Sequence, residues 1–297
     1  MNIIKRLFLA ILILAAFLGI ATLALEPWFS SWGATSAEAA MPLPGDELVP
    51  EAQRTATIGI TIQASPEQVW PWLAQMGAGR GGLYSYSWFE RLINCPIVNL
   101  DRIIPELQNP QVGDEVRLCP GDFGPPPFHI ATLDPGRVFI YGVREPTTAD
   151  WHTTYQYSLL PLGDGTTRLL MRERTAGIWA LDPLLQPGYF VMQRRGLQGL
   201  RERTEGQIQP EWQTEIELLL WLAGFAGFGL GLTLLLFRRD WRRPAVTAAG
   251  AGAVLLVLVF GQPPWWGSAL GVGLIYAGLV WALRPSRLTS GRELERL

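Results

Sequence analysis

The chain has 297 residues, of which 48% are hydrophobic and only 17% are charged, whereas an ordinary soluble protein carries about 25% charged residues. This composition is typical of a membrane protein with a soluble part. A net charge of −2 excludes the strongly basic surface that binding to nucleic acid requires. Lys5 is the only lysine, which excludes mechanisms that need a phosphate-loop or Schiff-base lysine. With two histidines and two cysteines, neither a metal site nor a cofactor is expected.

The first apolar segment, Leu7 to Leu25, follows Lys5 and Arg6 and has the length of about 19 residues that a membrane-spanning helix requires. A cleaved signal peptide is the alternative, but its apolar region would be shorter and a cleavage site would follow directly. The small residues of Ala37-Glu38-Ala39 lie too far downstream. We therefore predict an uncleaved signal anchor, which places the following domain across the membrane.

Local signals predict a strand and two helices at the start of the soluble part. Thr55 to Gln63 alternates with a period of two, as a strand with one buried face does. Ser65 to Gln68 forms a capping box with proline at the first helical position, and Pro71 predicts a kink in the helix that follows. A helical pattern resumes from Tyr84 to Ile93.

Strands separated by hairpin turns follow, and then one long helix. The turns are Asp134-Pro135-Gly136 and Asp164-Gly165. The predicted strands are Val112 to Cys119, Phe128 to Leu133, Arg137 to Val143, Trp151 to Leu160 and Thr166 to Thr175. Arg172 and Arg174 alternate with apolar residues on the last strand, and the sequence does not tell which face looks outward. The helix runs from Pro183 to Glu205, and Gly196 and Gly199 would let it approach the sheet closely. The predicted fold is α+β, an antiparallel sheet curled around a long C-terminal helix with a cavity between them, a helix-grip arrangement.

Three further spans are predicted at Leu218 to Phe237, Ala245 to Phe260 and Ser268 to Leu283. Arginines lie between the second and third spans and after the fourth, and short basic loops stay cytoplasmic. The chain is therefore predicted to be an integral protein of the cell membrane with both termini cytoplasmic and the soluble domain extracytoplasmic. No Asp, Glu, Lys, Arg or His lies inside the spans, which disfavours a transporter or channel.

These signals divide the chain into six parts. They are a signal anchor (1–26), an extended linker (27–50), a helix-grip domain (51–208), a second linker (209–217), three transmembrane helices (218–283) and a cytoplasmic tail (284–297).

Several stretches of the soluble part resemble the SRPBCC superfamily, which has the START-like helix-grip fold of lipid-transfer and polyketide cyclase-like proteins. They are Trp32 to Thr35 with Pro42 to Pro50, Val69 to Leu73 through Gly79 to Gly82 and Tyr84 to Tyr86, Asn99 to Glu106, and Phe190 to Met192 with Arg194-Arg195. The resemblance is to a membrane-associated bacterial branch, in which an acidic residue would stand where this chain has Ser87. It implies the fold and no particular chemistry.

Candidate site residues cluster around a glycine-rich turn. Gly77 to Gly82 matches G-x-G-x-x-G, but it follows a helix and not a strand, so an inter-helix turn is favoured over a dinucleotide site. Arg80 in this turn could hold an anionic head group at the rim of the cavity, and tyrosine and tryptophan rings suit a pocket for an amphipathic ligand, although core packing is the alternative. The predicted ligand-binding residues are Arg80, Tyr84, Tyr86, Trp88, His129 and Tyr155. No catalytic residue is assigned, because His129 and His152 have no motif partner nearby.

Cys95 and Cys119 are the only cysteines. In the oxidising compartment that the predicted topology assigns to them, a disulfide is expected. Two buried thiols that never meet are the alternative.

The favoured function is a membrane-anchored extracytoplasmic module that binds a lipid or another hydrophobic small molecule. A cyclase-type or isomerase-type enzyme using Tyr84, Tyr86 and His129 in the same cavity is one alternative, and a structural protein of the cell envelope is another. Convergent polar groups with shifted pKa values favour an enzyme, an apolar cavity favours binding, and a filled interior favours the structural class. The sequence predicts no oligomeric state.

Overall fold

The computed structural model describes residues 2–92, 94–120, 126–178 and 182–284, so that most of the predicted tail, residues 285–297, lies outside the described part. Two compact units are present. One comprises residues 1–24 and 211–297 and is called the membrane unit below, and the other, residues 25–210, is called the soluble unit.

The membrane unit contains helices, whereas the soluble unit contains both helices and strands. The helices are α1 (Ile3–Gly19), which continues as a π-helical turn (Ile20–Ala24), α2 (Glu26–Phe29), α3 (Ser36–Ala40), α4 (Pro66–Ala74), α5 (Ser87–Leu92), α6 (Asp182–Thr204), α7 (Glu211–Phe237), α8 (Arg242–Gly261) and α9 (Trp265–Leu283). The strands are β1 (Arg54–Ile62), β2 (Glu115–Val116), β3 (Phe128–Asp134), β4 (Val138–Arg144), β5 (Trp151–Pro161) and β6 (Thr167–Thr175).

All six strands form one antiparallel sheet in the order β1-β6-β5-β4-β3-β2. The α+β class and the antiparallel sheet are therefore as predicted. The wrapping of the sheet around a helix stays a prediction. The strand predicted from Val112 to Cys119 is much shorter, because only Glu115 and Val116 pair with β3.

One face of the sheet builds the core of the soluble unit. The alternation that predicted β1 places Ile58 and Ile60 opposite Met171 and Leu169 of β6, and all four side chains are buried. Leu197 and Leu200 of α6 belong to the same apolar cluster. Consistent period-two patterns thus give this sheet one apolar face, which α6 helps to cover.

The capping box predicted at Ser65 is present, and α4 begins at Pro66 with Pro71 inside it. The next helix is shorter than predicted. It begins at Ser87 instead of Tyr84, because Tyr84 has a φ of 58°, a left-handed conformation that an α-helix cannot contain.

Residues 27–50 are not the extended linker that was predicted. They contain α2 and α3, and Thr35 and Glu38 form a second capping box at the start of α3. The backbone amides of Thr57 and Gly59 on the edge strand β1 donate to the carbonyl oxygens of Ser30 and Trp32, at 2.7 and 3.0 Å. This segment therefore covers a sheet edge that would otherwise be exposed for association with other chains.

The same segment covers the second face of the sheet, where the arginines of β6 lie. Arg172 is almost fully buried and donates to the carbonyl oxygens of Met41, Glu38 and Ala39. Its guanidinium also forms an ion pair with Asp46 at 2.7 Å. The arginine face thus looks toward residues 27–50, which supply the partners that a buried guanidinium needs.

Helix α6 matches the predicted long helix to within one residue at each end. Its glycines approach a different neighbour from the one predicted. A Cβ atom on Gly199 would overlap the backbone carbonyl oxygen of Tyr84, and one on Gly196 would lie 3.0 Å from the carbonyl oxygen of Leu83. The close contact is therefore with the segment before α5, and not with the sheet.

Within the part of the chain that the structure describes, four helices are long and apolar enough to cross a membrane: Ile3–Phe29, Trp212–Phe237, Arg242–Gly261 and Trp265–Leu283. The second span starts earlier than predicted, because α7 takes in most of the linker assigned to residues 209–217. Within the membrane unit, Arg6 donates to the carbonyl oxygens of Arg238 and Arg239, and Arg243 donates to that of Arg284. The basic N-terminal part of α1 thus contacts the basic segment that follows α7.

Candidate functional site

A partly open cavity of about 140 Å³ lies inside the soluble unit. Strands β4 and β5, helices α5 and α6 and the connection between α4 and α5 contribute its walls. The lining residues are Met76, Leu83, Ser85, Glu90, Leu118, Tyr141, Tyr155, Tyr157, Tyr189, Met192, Gln193 and Gly196. Its volume resembles that of the cavity of about 150 Å³ known to take up benzene. The space therefore suits one ring-sized group and is too small for a whole lipid.

Three tyrosines form the sheet side of the cavity. The ring of Tyr141 lies 5.6 Å from that of Tyr155 and 6.1 Å from that of Tyr157. Burial raises the pKa of all three hydroxyls, and the negative charge of Glu173 raises it further. At neutral pH these residues are uncharged and present aromatic rings and hydroxyl groups to a ligand.

A paired carboxylate stands beside the tyrosines. Glu173 is buried on β6, forms an ion pair with Arg54, and accepts a hydrogen bond of 2.8 Å from Gln193 of the cavity wall. The negative charge of Glu173 contributes to the raised pKa values of the tyrosine hydroxyls. Because its oxygens already have partners, Glu173 orders this side of the cavity and is not available to a ligand.

The lining also contains a carboxylate of another kind. Glu90 on α5 is only 3% exposed, and neither of its carboxylate oxygens has a hydrogen-bond partner among the residues that the structure describes. Burial raises the pKa of Glu90 from 4.5 to about 7, and the charge of neighbouring Arg91 only partly offsets this rise. A buried carboxylate without partners is unfavourable. It therefore requires either a proton or a ligand group that donates to it.

Of the six residues predicted to bind a ligand, only Tyr155 lines this cavity. Tyr84 is buried in the core, where its hydroxyl donates to the carbonyl oxygen of Trp72 at 2.8 Å. Tyr86 and Trp88 are also buried, with their ring centres 5.3 Å apart. These contacts are those of core packing, and a binding role for the three aromatic residues stays a prediction.

The two remaining candidates also lie outside the lining of the cavity. Arg80 donates to the carbonyl oxygens of Ala74 and Leu107, at 3.0 and 3.3 Å, and so connects the glycine-rich turn to its surroundings. The turn itself closes through mutual backbone hydrogen bonds of 3.0 Å between Gly77 and Gly82. His129 is half-buried on β3, between β2 and β4. For both residues, contact with a ligand stays a prediction.

Cys95 and Cys119 form a disulfide in the structure, with their Cα atoms 5.2 Å apart. The bridge joins the segment after α5 to the segment after β2. The two ends of the bridge thus lie close in sequence to two lining residues of the cavity, Glu90 on α5 and Leu118 next to Cys119.

Sequence reasoning did not select Glu90, Tyr141, Tyr157 or Tyr189, which line the cavity. Tyr155 and Tyr157 stand two apart on one strand and therefore share a face, a signal that was present in the sequence. Glu90 carried no comparable signal, because a single glutamate on a short helix usually faces solvent.

No family model matches this chain, and no curated protein matches it. Among solved structures, it is similar to protein MLL2253 from Mesorhizobium loti, with 15% identity, 52% of this chain and 100% of that chain covered, and a TM-score of 0.32. A second is the Polyketide_cyc-like protein Cgl2372 from Corynebacterium glutamicum, with 20% identity, coverage of 52% and 89%, and a TM-score of 0.28. A third is protein Ms6760 from Mycobacterium smegmatis, with 15% identity, coverage of 54% and 93%, and a TM-score of 0.26.

Proposed function

We propose that this chain is a membrane-anchored, extracytoplasmic module that binds a hydrophobic small molecule in the cavity between β4, β5 and α6. The observation that carries the proposal is the cavity itself, which is walled mainly by aromatic and aliphatic side chains with a few polar groups. Small-molecule sites commonly have this composition. A filled interior, as expected for a purely structural domain, would offer no such space.

The cavity's size restricts the proposed ligand. One ring-sized group fits inside, and a larger molecule would have to extend through the opening. Tyr189, which is 43% exposed, lies at the outer part of the wall. A lipid would accordingly bind by a cyclic group or a short part of its structure, and not by a whole acyl chain.

Two observations support the proposed extracytoplasmic placement. The arginines of the membrane unit gather where Arg6 contacts the backbone of residues 238 and 239, and basic ends of spans prefer the cytoplasm. Helix α1 and its π-helical turn continue from Arg6 to Ala24, after which the chain enters the soluble unit. In addition, the disulfide between Cys95 and Cys119 suits an oxidising compartment.

Native mass spectrometry of the detergent-solubilised full chain tests the proposed binding. We expect a copurifying small molecule or the uptake of a ring-sized hydrophobic probe. Met192→Trp, which fills the cavity, should abolish binding, whereas Gln111→Trp at an exposed position should leave it unchanged. Equal binding by both variants would overturn the assignment of the ligand to this cavity, and no binding of any molecule would overturn the proposed function.

Cysteine labelling tests the placement. In a background without the native cysteines, Cys substituted for Gly163 in the β5–β6 hairpin should react with a membrane-impermeant maleimide on intact cells, and Cys substituted for Arg239 should not. Both positions are exposed in the structure. The reverse pattern would contradict an extracytoplasmic soluble unit.

A proton-transfer enzyme in the same cavity is the second candidate, because burial raises the pKa of Glu90 to about 7 and four tyrosines share the lining. An isomerase of this kind would remove a proton from one carbon of its substrate and return it at another. A copurified molecule incubated with the protein in D₂O would then incorporate deuterium at carbon. Incorporation that Glu90→Gln abolishes would establish this candidate over simple binding, and its absence would reject the enzyme.

A further inference from the structure

We propose that the cavity binds an organic cation, a protonated amine on a ring-sized apolar group, with Glu90 as its counter-ion and the tyrosine rings packed around it. The inference rests on the proposed small-molecule function and specifies the chemistry of the ligand. It starts from the charges of the lining, in which the described residues include no arginine, lysine or histidine. Glu90 is therefore the ionisable acid of a wall without any basic side chain.

Among the described residues, no charged side chain forms a hydrogen bond with the Glu90 carboxylate. Glu173, the other acidic group close to the tyrosines, is paired with Arg54 and Gln193. Arg91 is exposed and adjacent to Glu90 in sequence. Its positive charge lowers the pKa of Glu90, but Arg91 forms no hydrogen bond with the Glu90 carboxylate. Both oxygens of Glu90 are enclosed by protein and lack a hydrogen-bond partner among the described residues, so they can accept from a ligand group once the side chain turns toward the cavity.

The rest of the wall is suited to a cation as well. Tyr141, Tyr155, Tyr157 and Tyr189 contribute aromatic rings, whose electron-rich faces attract ammonium groups, an interaction that strengthens when water is excluded. An anionic ligand would meet these faces and a carboxylate, and it would have no basic partner. A neutral ring would fill the volume but would leave Glu90 unpaired.

Ring-sized probes that differ in one group separate these possibilities. Benzylamine, benzyl alcohol and benzoate have similar size and carry a cationic, a neutral and an anionic group. Saturation-transfer NMR and calorimetry on the full chain in a non-ionic detergent would measure their affinities at pH 8. We expect benzylamine to bind at least about tenfold more tightly than benzyl alcohol, a difference of about 1.4 kcal/mol, and benzoate not to bind.

The matched variants are Glu90→Gln and Glu115→Gln. The first keeps the shape of the side chain and removes its charge, so the preference for benzylamine should disappear. The second removes an exposed carboxylate that pairs with Arg117 outside the cavity, and it should leave all affinities unchanged. Tyr155→Leu should weaken benzylamine more than benzyl alcohol, because both probes pack their rings against the tyrosine but only the ammonium group gains a cation–π interaction as well.

Proton release by the unaltered protein provides a measurement that does not depend on the folding of a variant. Since a bound cation favours ionised Glu90, benzylamine binding at pH 6.5 should release a proton, detected by calorimetry in buffers of different ionisation enthalpy. The affinity should rise between pH 6 and pH 8, a range in which benzylamine stays protonated and burial keeps the hydroxyls of Tyr141, Tyr155 and Tyr157 neutral.

The outcomes separate this inference from the proposed function. The preference for a cation would be overturned if benzyl alcohol bound as well as benzylamine, without proton release and without an effect of Glu90→Gln. The proposed hydrophobic binding module would then remain. Tight binding of benzyl alcohol that weakens as the pH rises would likewise overturn the preference for a cation, by showing that protonated Glu90 donates to a neutral ligand. Failure of all three probes and of any copurifying molecule to bind would overturn both.

Discussion

Replacing Glu90 with glutamine should stabilise the soluble unit at pH 8 far more than at pH 4.5. Burial raises the pKa of Glu90 from 4.5 to about 7, and each pKa unit corresponds to about 1.4 kcal/mol. In the unfolded chain the carboxyl group ionises first as the pH rises. The free energy of unfolding therefore falls between about pH 4.5 and pH 7, by about 3 kcal/mol, and is constant above that range as far as this group is concerned.

The glutamine amide would also be buried with few partners, but this cost is the same at both pH values. The decisive quantity is hence the difference between the stability changes at pH 8 and pH 4.5, which should be about 3 kcal/mol in favour of pH 8. Urea-dependent pulse proteolysis of the detergent-solubilised full chain measures it. Glu115→Gln, at an exposed position, should give a difference near zero.

An equal effect of Glu90→Gln at both pH values would refute the reasoning. It would mean that the carboxylate is solvated or paired in solution, and the cavity would then lack the unpaired acid on which its proposed chemistry depends.

Three further outcomes are expected from the packing of the soluble unit. Gly199→Ala should destabilise it by about 1 to 3 kcal/mol, because the added Cβ overlaps a backbone carbonyl group. Gly188→Ala on the same helix meets open space and should be neutral or stabilising. Equal melting temperatures of the two variants would contradict this packing. Arg172→Met should cost about 3 kcal/mol in urea unfolding, since it leaves a buried acceptor set unpaired. Reduction of Cys95 and Cys119 should lower the stability by about 3 kcal/mol, as expected for a loop closed over 24 residues, and an unchanged urea midpoint would disprove the bridge in solution.

Local patterns predicted most of the secondary structure because they reflect interactions between near neighbours. The strand β1 and the helix α6 were predicted to within about one residue of their observed ends. The capping box at Ser65 requires only contacts within one helical turn. The membrane spans were predicted equally well, since a helix that crosses a membrane is defined by its length and its lack of charged residues.

Residues 27–50 show where local reasoning failed. They lack a long apolar period and were therefore predicted to be a linker, yet Arg168 pairs with Glu38, and Arg172 with Asp46. These ion pairs join positions that are more than a hundred residues apart in the chain. No pattern in either segment alone could reveal that one supplies the charges that the other needs.

The candidate site depended even more on tertiary structure. Amino-acid order alone determined the hairpin turns between consecutive strands, the apolar spans and the two cysteines able to pair, because each is set by composition or short-range spacing. Only the folded structure decided that Tyr84 belongs to the core, that Tyr155 joins Tyr141 and Tyr157 at a cavity, and that the carboxylate of Glu90 is buried there with no hydrogen-bond partner among the described residues. The physical reason is that the burial and the electrostatic environment of a side chain depend on its neighbours in space. Here those neighbours lie on β4, β5, α5 and α6, which are distant from one another in sequence.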